Sequence, residues 1–191
     1  RNLRFSEYAV EAYLEAHRTE EALAFIRTVR IEQPNELRLV VLEARSLIAN
    51  NQITQGIVTM QSFVSTHETD PFSQVALANI FVDAGRINEA VKTLQTANKK
   101  FPSETSILFQ LAAILEEQSR FSDAERAFRE VLSRNPAHHQ ALNYLGYMLA
   151  DRGERLQESV ELIKRALDAD PNNGSYLDSL GWAYFKLRDF D

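Results

Sequence analysis

Five prolines set a metre along this chain of 191 residues. Pro34, Pro71, Pro102, Pro136 and Pro171 stand 37, 31, 34 and 35 residues apart. Between them, apolar residues recur at helical spacing, as in Leu108, Leu111, Ala112 and Leu115. Few runs alternate with period two, and glycine and proline number only six and five. Proline cannot continue a helix, so it suits the turn that follows one. A unit near 34 residues has room for two antiparallel helices and a turn. The expectation is an all-α chain of stacked helix pairs, in which each pair buries its apolar face against its neighbours.

The residues between the prolines keep the same register. The second helix of each unit, helix B, carries a small residue, a bulky one four later and an apolar one three after that. These are Ala22, Ile26 and Val29; Gly56, Met60 and Phe63; Ala90, Leu94 and Ala97; Ala124, Phe128 and Val131; and Ser159, Ile163 and Ala166. The first helix, helix A, reads leucine, small residue, then aromatic or leucine. Leu77-Ala78-Phe81, Leu111-Ala112-Leu115, Leu145-Gly146-Leu149 and Leu180-Gly181-Tyr184 fit. Glu43-Ala44 replaces the leucine–small pair in the second unit. Gly146 and Gly181 are expected where helix A meets its own helix B. A missing side chain there permits close approach and outweighs the helix penalty of glycine, about 1 kcal/mol.

These motifs resemble the tetratricopeptide repeat family, whose period is near 34 residues. The resemblance implies a right-handed α-solenoid of antiparallel helix pairs over 1–191. Repeats are read at about 3–36, 37–70, 71–104, 105–138 and 139–173, with a lone helix A from 174. The fifth carries one extra residue around Arg155-Leu156. A further helix B should begin at the closing "RDFD", so Leu177, Leu180 and Tyr184 are expected to lack their usual partner. The chain opens on Arg1 without an initiator methionine and reads as a fragment of a longer one.

Composition narrows the function. The formal net charge is −6, without a basic stripe, which disfavours nucleic acid and anionic membrane surfaces. Cysteine is absent, removing disulfides, thiolate metal sites and cysteine nucleophiles together. No catalytic constellation is found, and neither cofactor nor metal is expected. His138 and His139 read as solvated turn histidines; adjacent on a helix, they point about 100° apart and cannot chelate together. Glu20-Glu21 reads as the start of a helix B, where the macrodipole favours acids. Asn173-Gly174-Ser175 matches a glycosylation sequon but reads as a turn before a helix.

A binding module is therefore expected, not an enzyme. Family resemblance places certain helix A positions on a concave wall. In the second and third repeats these include Arg38, Val41, Arg45, Phe72, Val75, Asn79 and Asp83. In the fourth they are Ser106, Phe109, Ala113, Glu116 and Glu117. Further along come Gln140, Asn143, Tyr147 and Asp151, then Asp178, Trp182, Phe185 and Lys186. The carboxylate clamp of chaperone-tail receptors is disfavoured: Asn79 matches it, but Val75 stands where lysine belongs. The candidate contact residues are Arg38, Arg45, Phe72, Asn79, Phe109, Asn143, Tyr147, Trp182 and Lys186. The aromatics among them suit an apolar peptide or helix, although aromatics at helical spacing also read as core.

One stretch is more particular. "LNYLGYMLADRG", "LIKRALDADPNNG" and "YLDSLGWAYFKL", within 135–191, resemble the C-terminal repeats of Gram-negative tetratricopeptide lipoproteins of the outer membrane. At least one member is the partner of a periplasmic carboxyl-terminal processing protease and presents cell-wall hydrolases to it. The resemblance implies an adaptor of this kind at the periplasmic face of the outer membrane. Two alternatives stand beside it: a scaffold of another envelope or cytoplasmic assembly, and a regulatory part of an enzyme whose catalytic domain lies elsewhere. The partners expected are proteins or peptides, with no membrane contact from this segment itself.

Overall fold

The computed structural model describes residues 3–188. Among them are eleven helices and no strand: α1 (Leu3–Glu15), α2 (Thr19–Glu32), α3 (Leu37–Ala49), α4 (Ile53–Thr66), α5 (Pro71–Asp83), α6 (Ile87–Lys100), α7 (Thr105–Glu117), α8 (Phe121–Arg134), α9 (His139–Asp151), α10 (Leu156–Ala169) and α11 (Gly174–Leu187). This is an all-α helical-repeat fold. The further helix expected at "RDFD" lies outside the described residues.

Local signals at the helix ends explain the regularity. Each odd-numbered helix from α1 to α9 is followed by a left-handed residue: His17, Asn51, Gly85, Ser119 and Gly153. One residue later a backbone N–H reaches back five positions, as in Arg86 to the Phe81 carbonyl at 2.7 Å and Glu154 to that of Leu149 at 2.9 Å. This is the Schellman arrangement, which satisfies orphan carbonyls and reverses the chain. Gly85 and Gly153 meet its positive φ without steric cost; the other three hold a conformation that disfavours L residues by about 1 kcal/mol. The extra residue of the fifth pair is taken up at Arg155, itself left-handed at φ 46°.

Four odd helices, α3, α5, α9 and α11, begin with side-chain caps: Glu36, Asp70, His138 and Asn173. Asp70 accepts from Phe72 and Ser73 N–H at 3.0 and 3.2 Å, and Asn173 from Ser175 and Tyr176 N–H at 3.1 and 3.3 Å. Asn173 therefore acts as a helix cap. Four prolines sit in the turns after helix B, but Pro71 opens α5 at its first position. Its preset φ suits that position, where no N–H is required.

The helices fall into two compact units, Arg1–Lys100 and Phe101–Asp191. In the first, Val10, Ala22, Leu23, Ile26, Val29, Leu39, Leu42 and Leu47 form a buried cluster. Glu43 is buried there too, 9% exposed. Its carboxylate pairs with Arg30 and, at 3.4 Å, with Arg27, both on α2. A leucine position of the repeat is thus held by an ion pair. In the second unit, Ala150, Val160, Ile163 and Ala183 form a cluster against which Leu180, Trp182 and Tyr184 pack. All five helix B triads read from the sequence are buried.

The glycines divide sharply. A Cβ on Gly146 would lie 2.6 Å from Ile163 Cγ1 and 3.0 Å from the Ser159 carbonyl oxygen of α10. The Ser159 hydroxyl donates to the Gly146 carbonyl at 2.7 Å. Gly56 plays the same part from the helix B side: a Cβ there would lie 2.7 Å from the Ala44 carbonyl oxygen. Gly181 does not: a Cβ there would meet nothing within 4 Å. The expectation that both Leu-Gly phrases press on a following helix thus holds for Gly146 alone, because no described helix follows α11. Leu180 and Tyr184 were expected to lack a partner, but both pack inward on α9 and α10; Leu177 remains 51% exposed.

Candidate functional site

The second unit carries a groove of about 540 Å³ between α7, α9 and α11, lined by Glu116, Gln140, Asn143, Tyr144, Tyr147 and Asp178 with the start of α11. These helices place their residues side by side because helix B of each pair occupies the opposite side. Beside it lies a hollow of about 510 Å³ bordered by Tyr147, Leu177, Gly181, Trp182 and Phe185. Tyr147 and Asp178 border both. One side of the surface is polar and the other apolar.

The polar side is unevenly satisfied. Asn143 is 7% exposed, and its Oδ1 has no hydrogen-bond partner among the described residues. Burial raises Glu116 above the ordinary carboxylate range, and the charges of Glu117 and Asp151 push the same way. At the groove's end, His139 Nδ1 lies 2.7 Å from the Tyr176 hydroxyl. Burial pushes that tyrosine up, with smaller contributions from Asp170 and Tyr144. His138 caps α9, its Nδ1 accepting from Ala141 N–H at 3.2 Å, and stacks on Phe109 with 5.1 Å between centroids. Burial lowers its pKa. Neither histidine is the solvated turn residue expected from the sequence: each is half-buried and holds a structural contact, because Phe109 and Tyr176 come to meet them.

The structure brings Asn143, Tyr147 and Trp182 to one surface. Tyr147 is 41% exposed. Trp182 is half-buried, stacked on Phe185 at 5.4 Å, with Lys186 Nζ 5.0 Å from its ring centroid. The same Nζ donates to the Asp151 carbonyl at 2.8 Å, so Lys186 braces α11 against α9. Phe109 is drawn away from the surface into contact with Phe128, His138 and Tyr144. The remaining candidates belong to the first unit. Arg38 pairs with Glu7 at 3.6 Å and Arg45 with Asp83 at 3.4 Å, both bracing neighbouring odd helices. Asn79 is half-buried on α5, and Phe72 stands 59% exposed on its first turn. Tyr144 and Ser179 were missed. They lie one residue from Asn143 and Asp178, a signal that the lining is wider than five positions per helix.

The tetratricopeptide repeat family model matches residues 75–124 and 109–174, together more than half of the chain. Over 177 residues, 92% of the chain, it is 27% identical to the TPR repeat-containing protein PA4667 of Pseudomonas aeruginosa. It spans only 24% of that protein's length. The fold is similar to TTC0263 of Thermus thermophilus, with a TM-score of 0.66 and 15% identity over 98% of this chain and 100% of that one. It is also similar to YrrB, with a TM-score of 0.57 and 17% identity over 89% and 87%. Tetratricopeptide proteins mediate protein–protein interaction, and their fold is typically a non-catalytic scaffold. This chain belongs to the tetratricopeptide repeat family.

Proposed function

We propose that the chain is a non-catalytic binding scaffold whose α7–α9–α11 groove takes a peptide segment of another protein. One observation carries this reading: a continuous surface joins the polar groove around Asn143 to the apolar hollow at Trp182 through Tyr147. Such a surface offers anchors for apolar side chains beside groups that pair with a peptide backbone. YrrB, whose fold is similar, is described as having an unusual peptide-binding site.

The finer reading is an adaptor at the periplasmic face of the outer membrane. It holds a carboxyl-terminal processing protease beside its cell-wall hydrolase substrates, raising their effective concentration without chemistry of its own. The resemblance of 135–191 to outer-membrane lipoprotein repeats supports this. Capture from solubilised envelope and soluble fractions, identified by mass spectrometry, tests it. A processing protease retained together with hydrolases, and released by Tyr147→Ala with Trp182→Ala at unchanged helicity, is the expected result. Retention of neither class contradicts the adaptor; retention that ignores both substitutions contradicts the groove.

A further inference from the structure

Among the acidic residues of the second unit, Glu116 combines partial burial with the lack of an ion pair among the described residues. On the helix B side, the carboxylates of α8 and the first turn of α10 are matched by arginine, while Glu161 and Asp168 further along α10 stand exposed to solvent. Glu125 pairs with Arg129 at 2.8 Å and Arg155 at 2.6 Å, Glu158 with Arg129 at 2.8 Å, and Asp123 with Arg120 and Arg126 at 2.8 and 2.6 Å. In the groove, Glu116 and Asp178 have no ion pair among the described residues, and none of the residues lining it is lysine or arginine. Lys186, on the same helix as Asp178, is committed to Trp182 and to the Asp151 carbonyl. Glu116 is half-buried beside further acids, an arrangement that disfavours its own charge. Independently, the amide of Asn143 is buried in the same groove with its oxygen unpartnered among the described residues. Buried polar groups are ordinarily satisfied, so an orphan amide oxygen beside unmatched carboxylates marks where a ligand supplies a donor.

We infer that the groove is built for a basic segment: an extended stretch of a partner protein carrying lysine or arginine. Its cation meets the carboxylates of Glu116 and Asp178, its backbone pairs with the Asn143 amide, and a neighbouring apolar side chain enters the Trp182 hollow. This rests on the groove reading above and adds the charge of the ligand. That charge is opposite to the one a carboxylate clamp selects.

The test is display selection of randomised octapeptides against the whole chain, then fluorescence anisotropy of a selected peptide. The expected result is enrichment of lysine and arginine over the input library. Affinity should fall about tenfold in Glu116→Gln with Asp178→Asn. It should hold in Glu161→Gln with Asp168→Asn, which removes the same charge from the exposed helix B face of α10. Circular dichroism confirms that both variants fold. Enrichment without basic residues, equal loss in both double variants, or no enriched peptide overturns the inference. A selected peptide that binds Tyr147→Ala unchanged overturns the groove reading itself, which separates the two failures.

Discussion

Helices α9 and α11 carry nearly the same phrase, offset by 35 residues, in different surroundings. On α9, Leu142, Gly146 and Ala150 are all buried. Their counterparts on α11 are Leu177, Gly181 and Phe185, and all three are exposed. A second face behaves alike in both: Tyr147 and Trp182 occupy equivalent positions and border the same hollow. The phrase therefore encodes two faces. One stacks the next helices, and it is covered only where such helices are present. The other points into the groove whichever helix bears it. Phe185 matches a stacking position, so its exposure says less about ligand binding than that of Tyr147.

The comparison can be broken most severely at Gly146. Gly146→Leu should destabilise the second unit by about 3 kcal/mol, because the Ser159 carbonyl is backbone and cannot step aside. Urea unfolding checks this, and a midpoint equal to wild type would show that α9 and α10 tolerate a wider gap. Glu43→Ala comes next, at about 2 kcal/mol, since it strands Arg30 and Arg27 beside a buried vacancy. Gly181→Ala should do the reverse of a change at Gly146. With open space around it, the chain gains about 1 kcal/mol from helix propensity alone. Loss of stability there would mean the stacking face of α11 is covered in solution.

The smallest effect is expected at Glu116. Its folded-state pKa is raised, so protonation favours the folded state and ionisation opposes it. Glu116→Gln should therefore stabilise by less than about 1 kcal/mol at neutral pH. The gain should be absent below the ordinary carboxylate range. It should appear as pH rises from there through the raised value. Thermal unfolding of both proteins across that window checks the sign. A variant less stable than wild type at neutral pH would place a favourable partner beside Glu116.

Packing was legible wherever it obeyed the period. The helix B triads could be read because a small residue, a bulky one and an apolar one recur in register, and close packing requires that register. Glu43 could be seen only as a departure. Its partners lie 13 and 16 residues earlier on α2, and a lateral ion pair leaves no periodic trace. The histidines were misread for the same reason: stacking on Phe109 or bonding to Tyr176 depends on which residues the fold brings opposite them. Of the groove's polar lining, Glu116, Gln140, Asn143 and Asp178 fall on the expected wall, whereas Asn173, Ser175 and Ser179 of the turn and first helical turns of α11 do not. Its neutral aromatic border was only partly foreseen, since Tyr144 stands outside the chosen positions. Arg38 and Arg45 looked like free cations on a wall, and only neighbouring helices reveal that Glu7 and Asp83 engage them.

Hydrogen–deuterium exchange on the complex with a captured protein or selected peptide tests the central claim most directly. Binding in the groove should slow exchange in segments of α9 and α11 while α8 and α10 keep the rates of the free chain. Protection confined to α8 and α10, with α9 and α11 unchanged, would place the partner on the helix B side and contradict the account.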